Sequence, residues 1–187
     1  LDPNTAQRSL SLSEGNRRVT HTPGRAEQPY PDHPERFEGH PQVVCRESVC
    51  ERCYWEAEFS VSEWGGVVYI AVTYKGISRK GGDYDCRFGW NKNSWSLRCF
   101  KHGHSDVLSH SVRHNNNQTP IPALTSPYRR AGVLCVDRPA GTLSFYSVSD
   151  SDTLTLLHRL HTHFTQHKPL CAGFRVYDAS VSLCQLE

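Results

Sequence analysis

An all-β fold of two packed antiparallel sheets with little helix is predicted for this 187-residue chain by three observations. Short runs alternate apolar and polar residues with period two, the pattern of strands buried on one face. Gly, Pro, Asn and Ser punctuate those runs at regular intervals, as in a β-sandwich. The stretch Val133–Val148 sets two apolar runs around Asp137-Arg-Pro-Ala-Gly141. There Pro139 pre-sets a turn dihedral and Gly141 can adopt positive φ, so the segment reads as a hairpin.

Residues 1–42 differ in texture from the rest. Apolar residues come singly, and only Leu10–Ser13 reads as a strand, ended by Glu14-Gly-Asn16. Gln28–Glu35 holds three prolines, which remove donors and fix φ, so it is predicted to lie as an extended arm over a larger body. From residue 43 the strand signals are regular. Tyr54–Val61 puts Trp55, Ala57 and Phe59 on one side and Glu56 and Glu58 on the other. Val67–Tyr74 is apolar on both sides, which predicts a central covered strand. Trp95–Phe100, Val107–Arg113, Gly132–Val136, Thr142–Val148, Leu170–Tyr177 and Ser180–Leu186 follow. Leu154–Leu160 reads as a strand too, although Leu154, Leu157 and Leu160 also fit a helical spacing. The connections carry the polar residues, above all the glycine-rich, charged loop Lys75–Asp85 and the polar stretch Asn115–Pro122. Binding work is commonly done by such loops on a rigid scaffold.

Composition narrows the function. A formal charge of +2 is too mild to imply a nucleic-acid partner. No run approaches the roughly 18 apolar residues of a membrane span, and no signal peptide is visible. The chain has no Met and begins at Leu1, so it reads as a piece of a longer protein. Eight cysteines invite a disulfide reading, but Cys99, Cys135, Cys171 and Cys184 sit in apolar strand-like runs, where a thiol behaves as a small hydrophobe. Reduced thiols in an intracellular setting are therefore expected, with disulfide pairing the alternative.

Reactive constellations are poorly represented. Cys50-Glu-Arg-Cys53 has the spacing of a zinc knuckle, but its nearest partner pairs, His102/His104 and His161/His163, lie far along the chain. No Gly-x-Ser-x-Gly elbow surrounds any serine. Asp83 and Asp85 lack the second acidic cluster that a glycosidase or calcium site would need. Gly76–Gly82 is not followed by the Gly-Lys-Ser/Thr of a phosphate loop. Asn117-Gln-Thr119 is a glycosylation sequon followed by Pro120, relevant only in a secreted chain. These patterns predict no enzyme, no cofactor and no metal.

Three motifs in order carry a resemblance. Leu1-Asp-Pro-Asn-Thr-Ala6, Tyr54-Trp-Glu-Ala-Glu58 and Val136-Asp-Arg-Pro-Ala-Gly-Thr-Leu-Ser-Phe-Tyr146 resemble the successive signatures of the PRY-SPRY family, with Leu10–Ser13 and Tyr30–Phe37 matching the later PRY segment. The detailed wording is similar to fish versions. Those end NACHT/leucine-rich-repeat immune receptors, tripartite-motif ubiquitin ligases and subunits of stonefish-type pore-forming toxins. The resemblance implies a bent two-sheet sandwich, PRY over 1–42 and SPRY over 43–187, together one domain. It also implies recognition of a protein or peptide by loops at one end, in innate immune sensing or ubiquitin-ligase substrate selection and in the cytoplasm. A structural or targeting role in a secreted toxin is the alternative. Carried onto this chain, the ligand surface draws on Arg79, Lys80, Asp83, Tyr84, Trp90, Arg113, His114 and Phe174, and its basic loops favour an acidic partner. Two departures stand out. Ser111-Val-Arg-His-Asn115 stands where relatives often have Phe-Trp-His-Asn, so Arg113 replaces an aromatic anchor, and Cys171-Ala-Gly-Phe174 replaces a Pro-Gly-Phe turn. Either the ligand differs, or this copy has a structural role. Oligomeric state is left open by the sequence.

Overall fold

The computed structural model describes residues 1–49, 52–104, 107–122, 129–136, 140–165 and 167–184, with backbone alone for 134–136. Among the described residues, thirteen strands form two antiparallel sheets. They are β1 Leu10–Ser13, β2 Arg18–His21, β3 Gln42–Val44, β4 Cys53–Val61, β5 Gly65–Tyr74, β6 Ser94–His102, β7 Leu108–His114, β8 Asn117–Ile121, β9 Arg130–Val136, β10 Thr142–Val148, β11 Leu154–His161, β12 Leu170–Tyr177 and β13 Ala179–Leu183. The first sheet runs β1-β2-β13-β4-β9-β10-β11 and the second β3-β12-β5-β6-β7-β8. Among the described residues the only helical element is a 3₁₀ turn at Tyr84–Cys86. The all-β, two-sheet expectation is met.

Alternation decides which side chains meet between the sheets. Val68, Ile70 and Val72 of β5, Trp95, Leu97 and Cys99 of β6, and Leu170, Ala172, Phe174 and Val176 of β12 are buried in the main core with Phe59, Val133, Leu143 and Phe145 of the opposite sheet. The other face of the second sheet is covered locally. Ala71 and Cys171 pack with Phe37, Val44, Ile77 and Phe88 in a second apolar cluster. β5 is thus buried on both faces between β12 and β6, as its sequence predicts.

The N-terminal segment stitches both sheets. β2 pairs with β13, and β3 pairs with β12. The proline-rich stretch after β2 contains no strand until β3, in keeping with its missing donors. Arg36 fastens this arm. It is 2% exposed, and its guanidinium donates to the carbonyls of Pro31 (3.0 Å), Pro3 (2.9 Å) and Ala6 (2.8 Å) while lying over the Tyr30 ring.

Several elements differ from expectation. β2, β3 and β8 carry no clear period-two signal because each is short, and β8 is a solvent-exposed edge. Pro120 suits that position, since an edge strand has one side with no ladder to complete. The ambiguous leucine run is a strand, held to β10 from Val148↔Leu154 to Thr142↔His161. Gly141 takes φ +66° as the hairpin reading requires, and a Cβ there would overlap the Thr162 carbonyl. Residues 137–139 of that turn, Cys50 of the zinc-like spacing, and the end of the Ser180–Leu186 run lie outside the described residues.

Candidate functional site

The glycine-rich loop after β5 folds back onto the N-terminal arm. Glu38 N–H donates to the Arg79 carbonyl (3.2 Å) and Gly39 N–H to the Gly81 carbonyl (3.1 Å). This approach needs glycine at 39, where a Cβ would overlap the backbone of Gly81 and Gly82. Arg79 donates to the carbonyls of Lys75 (2.7 Å), Glu35 (2.8 Å) and Ile77 (3.2 Å), and its guanidinium lies 4.8 Å from the Phe37 ring centre. Burial lowers its pKa below the usual arginine value. Lys80 donates to the carbonyls of His33 (2.7 Å) and Arg36 (3.0 Å) and pairs with Glu38 at 3.5 Å. Both cations predicted to face a ligand therefore hold the loop to the arm.

Beyond Gly82 the loop supplies an aromatic pile. Asp83 is exposed, and its carbonyl accepts from Cys86 N–H (3.2 Å) at the start of the 3₁₀ turn. Tyr84, 58% exposed, stacks on Trp90 with centroids 4.8 Å apart. The guanidinium of Arg87 lies 4.2 Å from the Trp90 ring centre and that of Arg113 lies 3.6 Å away. Asn91 fixes the curve of this loop by donating to the carbonyls of Tyr84 (2.9 Å), Asp85 (3.2 Å) and Arg87 (2.9 Å). Cation–π contacts of this kind are worth about 0.5–2 kcal/mol.

Strand geometry turns two of the sequence-predicted contacts toward the core. Phe174 is 1% exposed and meets Trp55 edge-on in the main core, with centroids 5.8 Å apart. His114 stacks on the core residue Trp95 at 4.6 Å, and its Nδ1 lies 2.8 Å from the Ser94 carbonyl. Each is next in sequence to an arginine on the opposite face, because successive side chains of a strand alternate.

Those arginines define what the sequence reading missed. Across the outer face of the second sheet the register aligns Arg175 (β12), Tyr69 (β5), Arg98 (β6) and Ser111 (β7), with Gly173, Ala71, Ser96 and Arg113 in an adjacent same-face row. Arg175 lies over the Tyr69 ring at 5.0 Å, and Arg98 over Phe100 at 4.5 Å. Burial pushes the Tyr69 phenol up, but Arg175, a hydrogen bond from Arg87, and Arg98 together hold it below the usual phenol value. Arg175 is lowered to about 10 by burial and by the cations Arg87 and Arg98. Arg98 and Arg175 were legible in principle, as the polar members of otherwise alternating runs. Arg87 comes from a loop and needed the fold.

Among the described residues, no group of three or more His, Cys, Asp or Glu side chains is placed to hold a metal ion. The six described cysteines carry free thiols, and burial raises those of Cys45 and Cys86 to about 11 and that of Cys171 to about 12. No described helix is long and apolar enough to cross a membrane.

Comparison with known proteins accords with the architecture. The profile of the PRY, SPRY-associated domain, matches residues 1–49. Tripartite motif-containing protein 16 of Mus musculus is 39% identical over 93% of this chain, and Stonustoxin subunit beta of Synanceia horrida is 38% identical over 89%. The chain spans 28% and 22% of those two relatives' lengths. A stonustoxin structure superposes with a TM-score of 0.81 at 34% identity, covering 98% of this chain and 26% of that one. The crystal structure of the TRIM65 PSpry domain gives 0.77 at 25% identity, covering 99% of this chain and 89% of that one. With these relatives, a PRY match at its start and a two-sheet antiparallel sandwich throughout, the chain belongs to the PRY-SPRY domain family.

Proposed function

We propose that this domain is a non-enzymatic recognition module that captures a protein or peptide segment on the outer face of the second sheet. The contact surface combines Tyr84, Trp90 and Arg113 with the neighbouring strand face, while PRY (1–42) and SPRY (43–187) act as one unit. The observation that carries this reading is the stack of exposed Tyr84 on half-buried Trp90, flanked by Arg87 and Arg113. Aromatic and arginine side chains in that arrangement are typical of interface hot spots. Arg79 and Lys80 act indirectly, by holding the loop. In a tripartite-motif or immune-receptor parent the module would select a substrate or sense a ligand in the cytoplasm. The test is capture of a ligand by the full-length parent, followed by titration with Tyr84→Ala and Trp90→Ala domains. Loss of about tenfold or more in affinity for each is expected from hot-spot magnitudes, and undiminished affinity in both would remove the surface from consideration.

A second reading rests on the likeness to stonustoxin subunits. There the domain would serve as a structural or targeting unit of a secreted cytolytic protein. Thiol and glycan states of the natural protein separate the two. Oxidised cysteines or a glycan on Asn117, which opens the exposed edge strand β8, favour secretion, and eight free thiols without glycan favour the cytoplasm.

A further inference from the structure

Four arginines converge beside the aromatic stack. Arg98, Arg113 and Arg175 rise from β6, β7 and β12, and Arg87 reaches over from the loop. The principal charged neighbours of Arg113 and Arg175 are Arg87 and Arg98, with the phenols of Tyr69 and Tyr84, and none is a carboxylate. Among the described residues none of the four forms an ion pair. Several of their donors are also unspent. Arg175 Nε and Nη1, Arg87 Nε and Trp90 Nε1 are buried without a hydrogen-bond partner in the domain alone. Arg113 spends one donor on Gln118 Oε1 (2.8 Å).

Like charges gathered in a partly desolvated patch repel one another, and buried donors without acceptors cost free energy. An oxyanion relieves both. Guanidinium forks match carboxylate geometry, and all four lie over aromatic rings, Arg87 and Arg113 over Trp90, Arg98 over Phe100 and Arg175 over Tyr69. Elsewhere, Arg36 and Arg79 spend their donors on backbone carbonyls, and other cations find carboxylates. Arg130 pairs with Asp152 at 2.7 Å and Glu56 at 3.5 Å, and Lys80 with Glu38.

We infer that the outer face of the second sheet binds a carboxylate-rich peptide segment, its acidic side chains seated among Arg87, Arg98, Arg113 and Arg175 beside the Tyr84–Trp90 stack. This deepens the recognition reading above and rests on it. It also moves the acidic preference away from Arg79 and Lys80, whose charges are spent on the arm.

The probe is a fluorescein-labelled octaglutamate peptide, followed by anisotropy with the folded domain, with octaglutamine as the neutral control. Octaglutamate is expected to bind with an affinity that falls as salt rises, and octaglutamine not at all. Arg98→Gln and Arg175→Gln are each expected to weaken binding about tenfold, the effect of losing one charge-assisted contact. Arg159→Gln, on β11 of the other sheet, where the side chain donates to Ser144, should leave it unchanged. If Arg175→Gln unfolds, the half-exposed Arg98 carries the test. Absence of octaglutamate binding at low salt, or equal losses from Arg159→Gln and Arg98→Gln, overturns the inference. So does binding confined to an octapeptide with one phosphoserine among neutral residues. For a ligand captured by the parent protein, loss in Trp90→Ala with none in Arg98→Gln or Arg175→Gln keeps the recognition surface and overturns its acidic preference.

Discussion

Replacing Arg36 with Met tests how the N-terminal arm is held to the sandwich. The methionine keeps most of the buried apolar contact and the space over Tyr30, but it removes three hydrogen bonds to the carbonyls of Pro3, Ala6 and Pro31. The Ala6 bond is fully buried, so that carbonyl loses its partner without gaining water, at about 1–3 kcal/mol. The Pro3 and Pro31 bonds are partly buried, and water can replace the guanidinium there at about 0.5–1.5 kcal/mol each. Against this, the cationic head no longer has to be desolvated, a cost visible in the direction of its pKa, which burial lowers. The net loss is therefore about 2–4 kcal/mol, or about 5–15 °C in melting temperature for a domain of this length. Thermal unfolding by circular dichroism measures it, and hydrogen exchange should localise the loosening to residues 28–38. Arg36→Lys, with one compact head in place of a fork, should fall between. A melting temperature for Arg36→Met within about 2 °C of the parent would refute the claim that these bonds hold the arm, leaving Phe37 and its apolar neighbours to do so.

Three further outcomes follow from the same structure. His21, His40, His110 and His114 have pKa values lowered chiefly by burial from the ordinary 6.5. The unfolded chain then binds more protons than the folded one below that value, so urea midpoints should be level above about pH 7 and decline as pH falls through 6.5 towards 5; a rise on acidification would contradict the assignment. Iodoacetamide mapping at pH 8 should leave Cys45, Cys86 and Cys171 unmodified in the native protein and label them once unfolded, since their thiols lie near 11, 11 and 12; rapid native labelling of these three would show that they are not buried as described. Gly39→Ala should push the 75–85 loop off the arm and speed tryptic cleavage at Arg79 and Lys80 about tenfold, in proportion to the population of the open loop. Gly82→Ala, whose Cβ would find its nearest neighbour at 3.8 Å, should not.

The fold was legible where strands are long and covered. Tyr54–Val61, Val67–Tyr74 and Leu170–Tyr177 show their faces in sequence, because burial on one or both sides fixes residue type at every second position. β8 was read as a polar connection because its side chains face solvent or an open edge, where no such constraint acts. The site was legible only by region. Tyr84, Trp90 and Arg113 come together in space, but composition alone counts Arg79 and Lys80 as available charge when backbone carbonyls of the arm and of the loop itself absorb them. Phe174 and His114 face the core, and the same alternation that reveals the strands assigns Arg175 and Arg113 to the outer face. This changes the meaning of Arg113 standing where relatives carry an aromatic. Its guanidinium lies 3.6 Å from the centre of Trp90, so the aromatic surface persists and gains a charged edge. On the proposed recognition surface, such an exchange would keep an aromatic stacking platform and alter the charge it prefers. Two of the four clustered guanidiniums lie over Trp90, Arg98 lies over Phe100 and Arg175 over Tyr69, and among the described residues none of them forms an ion pair, an arrangement that pairing or neutral substitution would make more stable.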